Sequence, residues 1–154
     1  MPKPYEGDYP YIFVSYAHAD GAVMPIIEAL DREGYRVWYD EGIQAGSSFP
    51  DYIANRLHDC ECVLICVSRS SIASGWCRNE VDYALELGKP MLPVYLEDVE
   101  LPRALQMRIG TVQALYWYEF DSDDEFNREL FSVSMLDPCL TPAGKRRRGV
   151  PPRS

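Results

Sequence analysis

Tyr11-Ile12-Phe13-Val14-Ser15-Tyr16, then Asp20-Gly21, then Pro25-Ile26-Ile27-Glu28-Ala29-Leu30-Asp31-Arg32-Glu33-Gly34, then Tyr35-Arg36-Val37-Trp38-Tyr39: this stretch decides the fold. The first run is short, aromatic and β-branched, which suits a buried strand. Asp20-Gly21 reads as a turn. Ile26, Ile27 and Leu30 recur at helical spacing, Pro25 fits a first helical turn, and Gly34 supplies a C-terminal stop. Tyr35 to Tyr39 is a second strand, so the stretch is one strand–helix–strand unit.

The same alternation continues. Asp40 to Gly46 is a polar loop with two glycines, and Ser48-Phe49-Pro50-Asp51 starts a helix that runs to about His58. Cys62 to Val67 is a solidly apolar third strand. A helix from Ser74 to Gly88 leads into a fourth strand, Met91 to Leu96, which Pro93 marks as near an edge or end. A short helical turn around Arg103 to Arg108 and a last strand, Gln113 to Tyr118, complete the sheet. Asp121 to Ser132 reads as a final helix, with Ser122 as cap and Glu125 at the third position.

Alternating strands and helices with short connections predict an α/β fold with a central five-stranded parallel sheet and helices on both faces. In such sheets ligands bind beyond the carboxyl ends of the strands. The expected layout is an N-terminal extension over 1–8, a domain over 9–133, and a flexible basic tail or linker over 134–154.

Charge divides the chain. The formal net charge is -9, yet residues 1–136 carry -13 and the last eighteen carry +4. An acidic body argues against a nucleic-acid groove, which needs clustered Lys and Arg. The tail Lys145 to Ser154 reads as a solvated end, as a patch for anionic lipid or nucleic acid, or as a linker to a sensor domain. Five cysteines lack any C-x-x-C pair, and His18 and His58 sit far from metal-ligand spacing, so no metal site is expected. The cysteines read as small hydrophobes of a reducing, cytoplasmic setting. With no signal peptide and no long apolar run, nothing here is expected to span a membrane.

One residue breaks the helical pattern. At about 100° per residue, Trp76, Cys77, Val81, Tyr83, Ala84, Leu85 and Leu87 share a broad arc, and Glu80 is the one charge inside it. A carboxylate placed beside Trp76 and Cys77 loses water unless a partner or ligand replaces it. The alternative is an edge residue that reaches solvent or meets Arg56 or Arg108.

These residues in this order resemble the Toll/interleukin-1 receptor (TIR) domains over about residues 9 to 133, of the bacterial NAD-cleaving type. Tyr11 to Tyr16 followed by Asp20 is similar to the family's first motif. Gly34 to Asp40, then Ile43 and Gly46, resembles the strand and long loop used in self-association. Ser74-Gly75-Trp76-Cys77-Arg78-Asn79-Glu80 is similar to the family's Ser-x-Trp-Cys-x-x-Glu stretch, and Tyr116-Trp117 echoes its aromatic third box. The loop from Tyr39 to Gly46 lacks the Arg-Asp and Pro-Gly of animal receptors.

The resemblance implies a three-layer, flavodoxin-like fold and a set of roles. Glu80 takes the place of the catalytic acid, which would stabilise the oxocarbenium-like ribose as nicotinamide leaves. Trp38 lies where such enzymes set a ring against nicotinamide, with core packing as the alternative, and Trp76 and Cys77 lie beside Glu80. Tyr16, Ala17 and Asp20 should border the same crevice, with Asp40 and Ile43 from the loop. Ala17 or His18 occupies the strand-end position that holds an arginine in some NAD+-cleaving members. NAD+ enters as substrate, with no cofactor or metal. The implied partners are other TIR domains, with an assembly module as the competing reading, and the implied setting is bacterial antiviral defence.

Overall fold

Strand β1 (Ile12–Ser15) forms the second position of a five-stranded sheet, in a computed structural model that describes residues 2–41 and 49–149. It is followed by α1 (Val23–Glu33), β2 (Val37–Tyr39), α2 (Phe49–Asp59), β3 (Cys62–Val67), α3 (Arg69–Ala73), α4 (Gly75–Glu86), β4 (Met91–Tyr95), α5 (Arg103–Ile109) and β5 (Leu115–Tyr116). A 3-10 turn (Trp117–Glu119), α6 (Asp123–Phe131), a second 3-10 segment (Ser134–Cys139) and α7 (Pro142–Arg148) complete the chain. The strand order is β2-β1-β3-β4-β5, parallel throughout.

Side chains that alternate along the strands divide the core into two layers. Ile12, Val14, Tyr39, Leu64 and Cys66 pack with Ile27 and Leu30 of α1 and Phe126 and Leu130 of α6. Phe13, Trp38, Val63 and Ile65 pack on the other face with Ile53 and Leu57 of α2 and Val81 and Ala84 of α4. The strands are apolar on both sides for that reason, and the sheet is a buried middle layer.

Local sequence explains the helix ends. Gly34 closes α1 at φ 106°, a left-handed conformation that favours glycine. Ser68, Ser74 and Ser122 cap α3, α4 and α6 through their side chains, and the Ser122 acceptor receives the Glu125 N–H as expected. Ser48, the expected start of α2, lies outside the described residues. The last strand is shorter than the expected Gln113 to Tyr118: it pairs only with β4, and the chain turns into 3-10 geometry at Trp117.

The C-terminal segment departs from the expected tail. Over 134–149 it is folded: Leu136, Cys139 and Leu140 are fully buried in the α1/α6 core. Arg36 N–H donates to Cys139 O at 2.8 Å, and Thr141 N–H donates to Gly34 O at 2.7 Å. Arg148 pairs with Glu33 at 2.9 Å, and Arg147 donates to the Glu33 carbonyl at 2.9 Å, so the basic run caps the end of α1. Pro, Gly and Arg content suggested mobility, but three apolar residues among them have a groove to fill. The N-terminal extension is likewise held, with the Tyr5 N–H donating to Val37 O at 2.8 Å on the outer side of β2.

Among the described residues no helix is long and apolar enough to cross a membrane.

Candidate functional site

Because β1 leads through α1 to β2 on one side, and the chain then returns through α2 to β3 on the other, the carboxyl ends of β1 and β3 flank the switch point of the sheet. Ser15 is the last residue of β1, and its side chain falls on the same face as Phe13 and Trp38. Helix α4 crosses that face. Ser74 caps the helix by accepting the Cys77 N–H at 3.2 Å, which fixes where the helix begins and brings Glu80, one turn in, against the strand end.

The Ser15 hydroxyl donates to Oε1 of Glu80 at 2.8 Å. Ser15 itself is 1% exposed. Burial pushes the Glu80 carboxyl up to about 7; the Asp40 carboxylate adds to the rise, and the Ser15 hydroxyl opposes it. The carboxylate therefore changes charge near neutral pH. Neither arginine proposed as a partner meets it: Arg108 pairs with Asp82 at 2.6 Å, and Arg56 binds the N-terminal segment.

Other expected residues gather around this pair. Cys77 is buried, which raises its thiol pKa, while Ser74 and Ser15 pull it back and Glu80 raises it further. Asp20 accepts from the Ser68 hydroxyl at 2.5 Å, tying the β1–α1 turn to the end of β3. The Tyr16 hydroxyl donates to Asp40 O at 2.7 Å, and His18 Nε2 lies 3.4 Å from Asp40 Oδ2, so the ends of β1 and β2 are linked. Burial, with Asp40 next, raises the Tyr16 pKa, so its hydroxyl stays protonated and can donate. Ala17 is buried at the end of the same strand. A cavity of about 20 Å³ continues inward between Ser15, Ile65, Cys77, Val81, Leu105 and Ile109, enough for roughly one water.

Trp38 sits apart from this rim. It is 2% exposed, with Phe13 at 5.0 Å and the Tyr52 ring edge-on at 5.9 Å, and here it is a core residue. Ile43 and the Trp76 side chain fall outside the described residues. Sequence reasoning overlooked Ser15 and Ser68 as individual residues. The available signal was a hydroxyl standing directly after each of two apolar strand runs, at the end where parallel sheets hold ligands.

Buried hydroxyls around one desolvated carboxylate can grip sugar hydroxyls and stabilise developing positive charge. Among the described residues no three His, Cys, Asp or Glu side chains converge as a metal site.

Comparison with known proteins agrees with this topology. Solved structures of similar fold include the TIR domain of the Toll-related receptor TRR-2 from Hydra magnipapillata (TM-score 0.64, 19% identity, covering 78% of this chain and 94% of that one). The TIR domains of the activated Roq1 resistosome, which recognises the pathogen effector XopQ, match with TM-score 0.64 and 15% identity over 80% of this chain and 97% of that one. A 2-deoxyribosyltransferase from Leishmania mexicana shares the fold more distantly, with TM-score 0.53 and 14% identity over 80% of this chain and 98% of that one. No curated protein sequence matches. The sequence model of the TIR domain matches residues 12–131, from β1 through α6, and the chain belongs to the TIR domain family.

Proposed function

We propose that this TIR domain is an NAD+ glycohydrolase that cleaves the bond between nicotinamide and ribose, is activated by self-assembly, and serves bacterial immune defence. The observation that supports it best is the Glu80 carboxylate, desolvated at the switch point and held by Ser15. Heterolysis sends the bonding pair to nicotinamide, which departs neutral, and leaves an oxocarbenium-like ribose. Glu80 as carboxylate lowers that barrier by preorganised charge in a site of low water content. Water then adds to the anomeric carbon and loses a proton, giving ADP-ribose; attack by an atom of the same molecule gives a cyclic isomer instead.

An assembly module is the second reading, supported by the exposed rings of Tyr116, in β5, and Tyr118, just after it, which lie edge-to-face at 6.3 Å. The two readings are compatible, because assembly could complete the site.

The test incubates concentrated or crowded protein with NAD+, follows nicotinamide release, identifies the co-product by chromatography with mass detection, and runs Glu80→Ala beside it. Release that vanishes in the variant supports the enzyme. Absence of release under every assembling condition leaves the assembly module.

A further inference from the structure

We propose that Ser15 is a positioning residue for Glu80: its buried hydroxyl holds Oε1 at the end of β1 and keeps the carboxylate charged where the ribose would lie. The inference rests on the NAD+-cleaving reading. Its geometry is independent of that reading, since a 1% exposed serine donates at 2.8 Å to a carboxylate on a different element.

The surroundings make this donor necessary. The groups that act on the Glu80 carboxylate from neighbouring elements are Ser15, at the end of β1, and Asp40, beyond β2; on its own helix Glu80 acts on Cys77, as does Asp20 from the turn after β1. Asp40 disfavours the charged form. A buried thiol carries no positive charge to offset it, and Asp20 is engaged by Ser68. His18 lies against Asp40 rather than Glu80. Among the described groups near Glu80, Ser15 is the one whose hydrogen bond lowers its proton affinity. A serine is also the right size. Alanine at this position removes the donor with almost no change of volume, and threonine restores it, with the adjoining cavity to receive the added methyl.

The experiment labels Glu side-chain carboxyls with ¹³C and follows the Glu80 Cδ resonance against pH in wild type, Ser15→Ala and Ser15→Thr. It is paired with the pH profile of kcat/KM for nicotinamide release, whose acid limb reports the free enzyme. The Cδ midpoint and the acid limb should both move up by about one pH unit in Ser15→Ala and return in Ser15→Thr. A uniform loss of rate with both midpoints unmoved would show that Ser15 merely packs, and would overturn the proposal. Should wild type release no nicotinamide, the NAD+ reading falls by itself. The Cδ midpoint then decides the pair: an upward shift in Ser15→Ala supports the hold of Ser15 on Glu80, and an unchanged midpoint refutes it.

Discussion

The guanidinium of Arg56 lies 4.1 Å from the centroid of the Tyr11 ring, and Arg56 is 8% exposed. Its Nη2 donates to Tyr5 O at 2.7 Å and the Tyr11 hydroxyl donates back to the Arg56 carbonyl. A buried cation held against a ring face and donating to carbonyls thus anchors the N-terminal extension to α2. Tyr52, also on α2, donates to Glu6 of the same extension. Together with the Tyr5 N–H on Val37 O, this segment covers the otherwise open edge of β2.

Replacing Arg56 by Met keeps the stem but leaves the Tyr5 and Gly7 carbonyls without their donor. Arg56→Met is expected to cost about 1–2 kcal/mol in urea unfolding. The Tyr5 amide should lose protection in hydrogen exchange before the β1 amides do. Unchanged Tyr5 protection would show that the extension docks without Arg56.

Glu80 should weaken the fold at the pH where the proposed chemistry needs it. Its folded pKa, about 7, stands above the ordinary value of 4.5, so the native state binds more protons between these values. Stability therefore falls as pH rises through that window and stays low above it. Glu80→Gln, which still offers Ser15 an acceptor, is expected to be more stable by on the order of 2 kcal/mol at pH 8 and equal to wild type near pH 4. Thermal melts at the two pH values check this; an equal advantage at both would refute a titrating carboxylate.

The C-terminal segment should behave as part of the domain. Leu140→Ala removes a fully buried side chain from the core layer of α1 and α6 and is expected to cost about 3 kcal/mol. Truncation after Val133 should lower the melting temperature further, because it also uncovers Cys62 and Tyr35. A truncated chain that melts like wild type would return this segment to the status of a tail.

All five cysteines are free and buried. Cys62 and Cys139 lie with sulfurs 4.0 Å apart, and their mutual hydrogen bond, with burial, raises the Cys62 thiol pKa; burial alone does most of this for Cys66. Thiol reagents need access, which burial denies to all five, and thiolate, which the raised pKa values of Cys60, Cys62, Cys66 and Cys77 disfavour. Native protein at pH 7.5 is expected to show almost no reaction with Ellman's reagent over minutes, and all five thiols after denaturation. A fast native thiol would identify a cysteine exposed by local opening.

Much of this was legible in the chain. Apolar runs bounded by Gly34, Gly88 and capping serines encode their own strands and helices, since period and termination are local properties. The alternation then admits few topologies, because parallel strands need crossovers. Glu80 stood out for the same local reason: one charge in an apolar arc of a single helix. The length of β5 was misread, because edge pairing with β4 alone limits the strand and no residue between Gln113 and Tyr118 announces that limit.

Composition and pattern thus determined the fold class, the family motifs and the carboxylate to question, all of them properties of residues near one another in the chain. Only the tertiary structure decided that Ser15, sixty-five positions earlier, supplies the donor to Glu80. It also placed Trp38 in the core, and folded Leu136 to Arg148 against the end of α1. The physical reason is that burial and hydrogen-bond partnership belong to pairs of elements. Whether an indole is a platform or core, or an arginine run a tail or a cap, depends on what the sheet brings beside it.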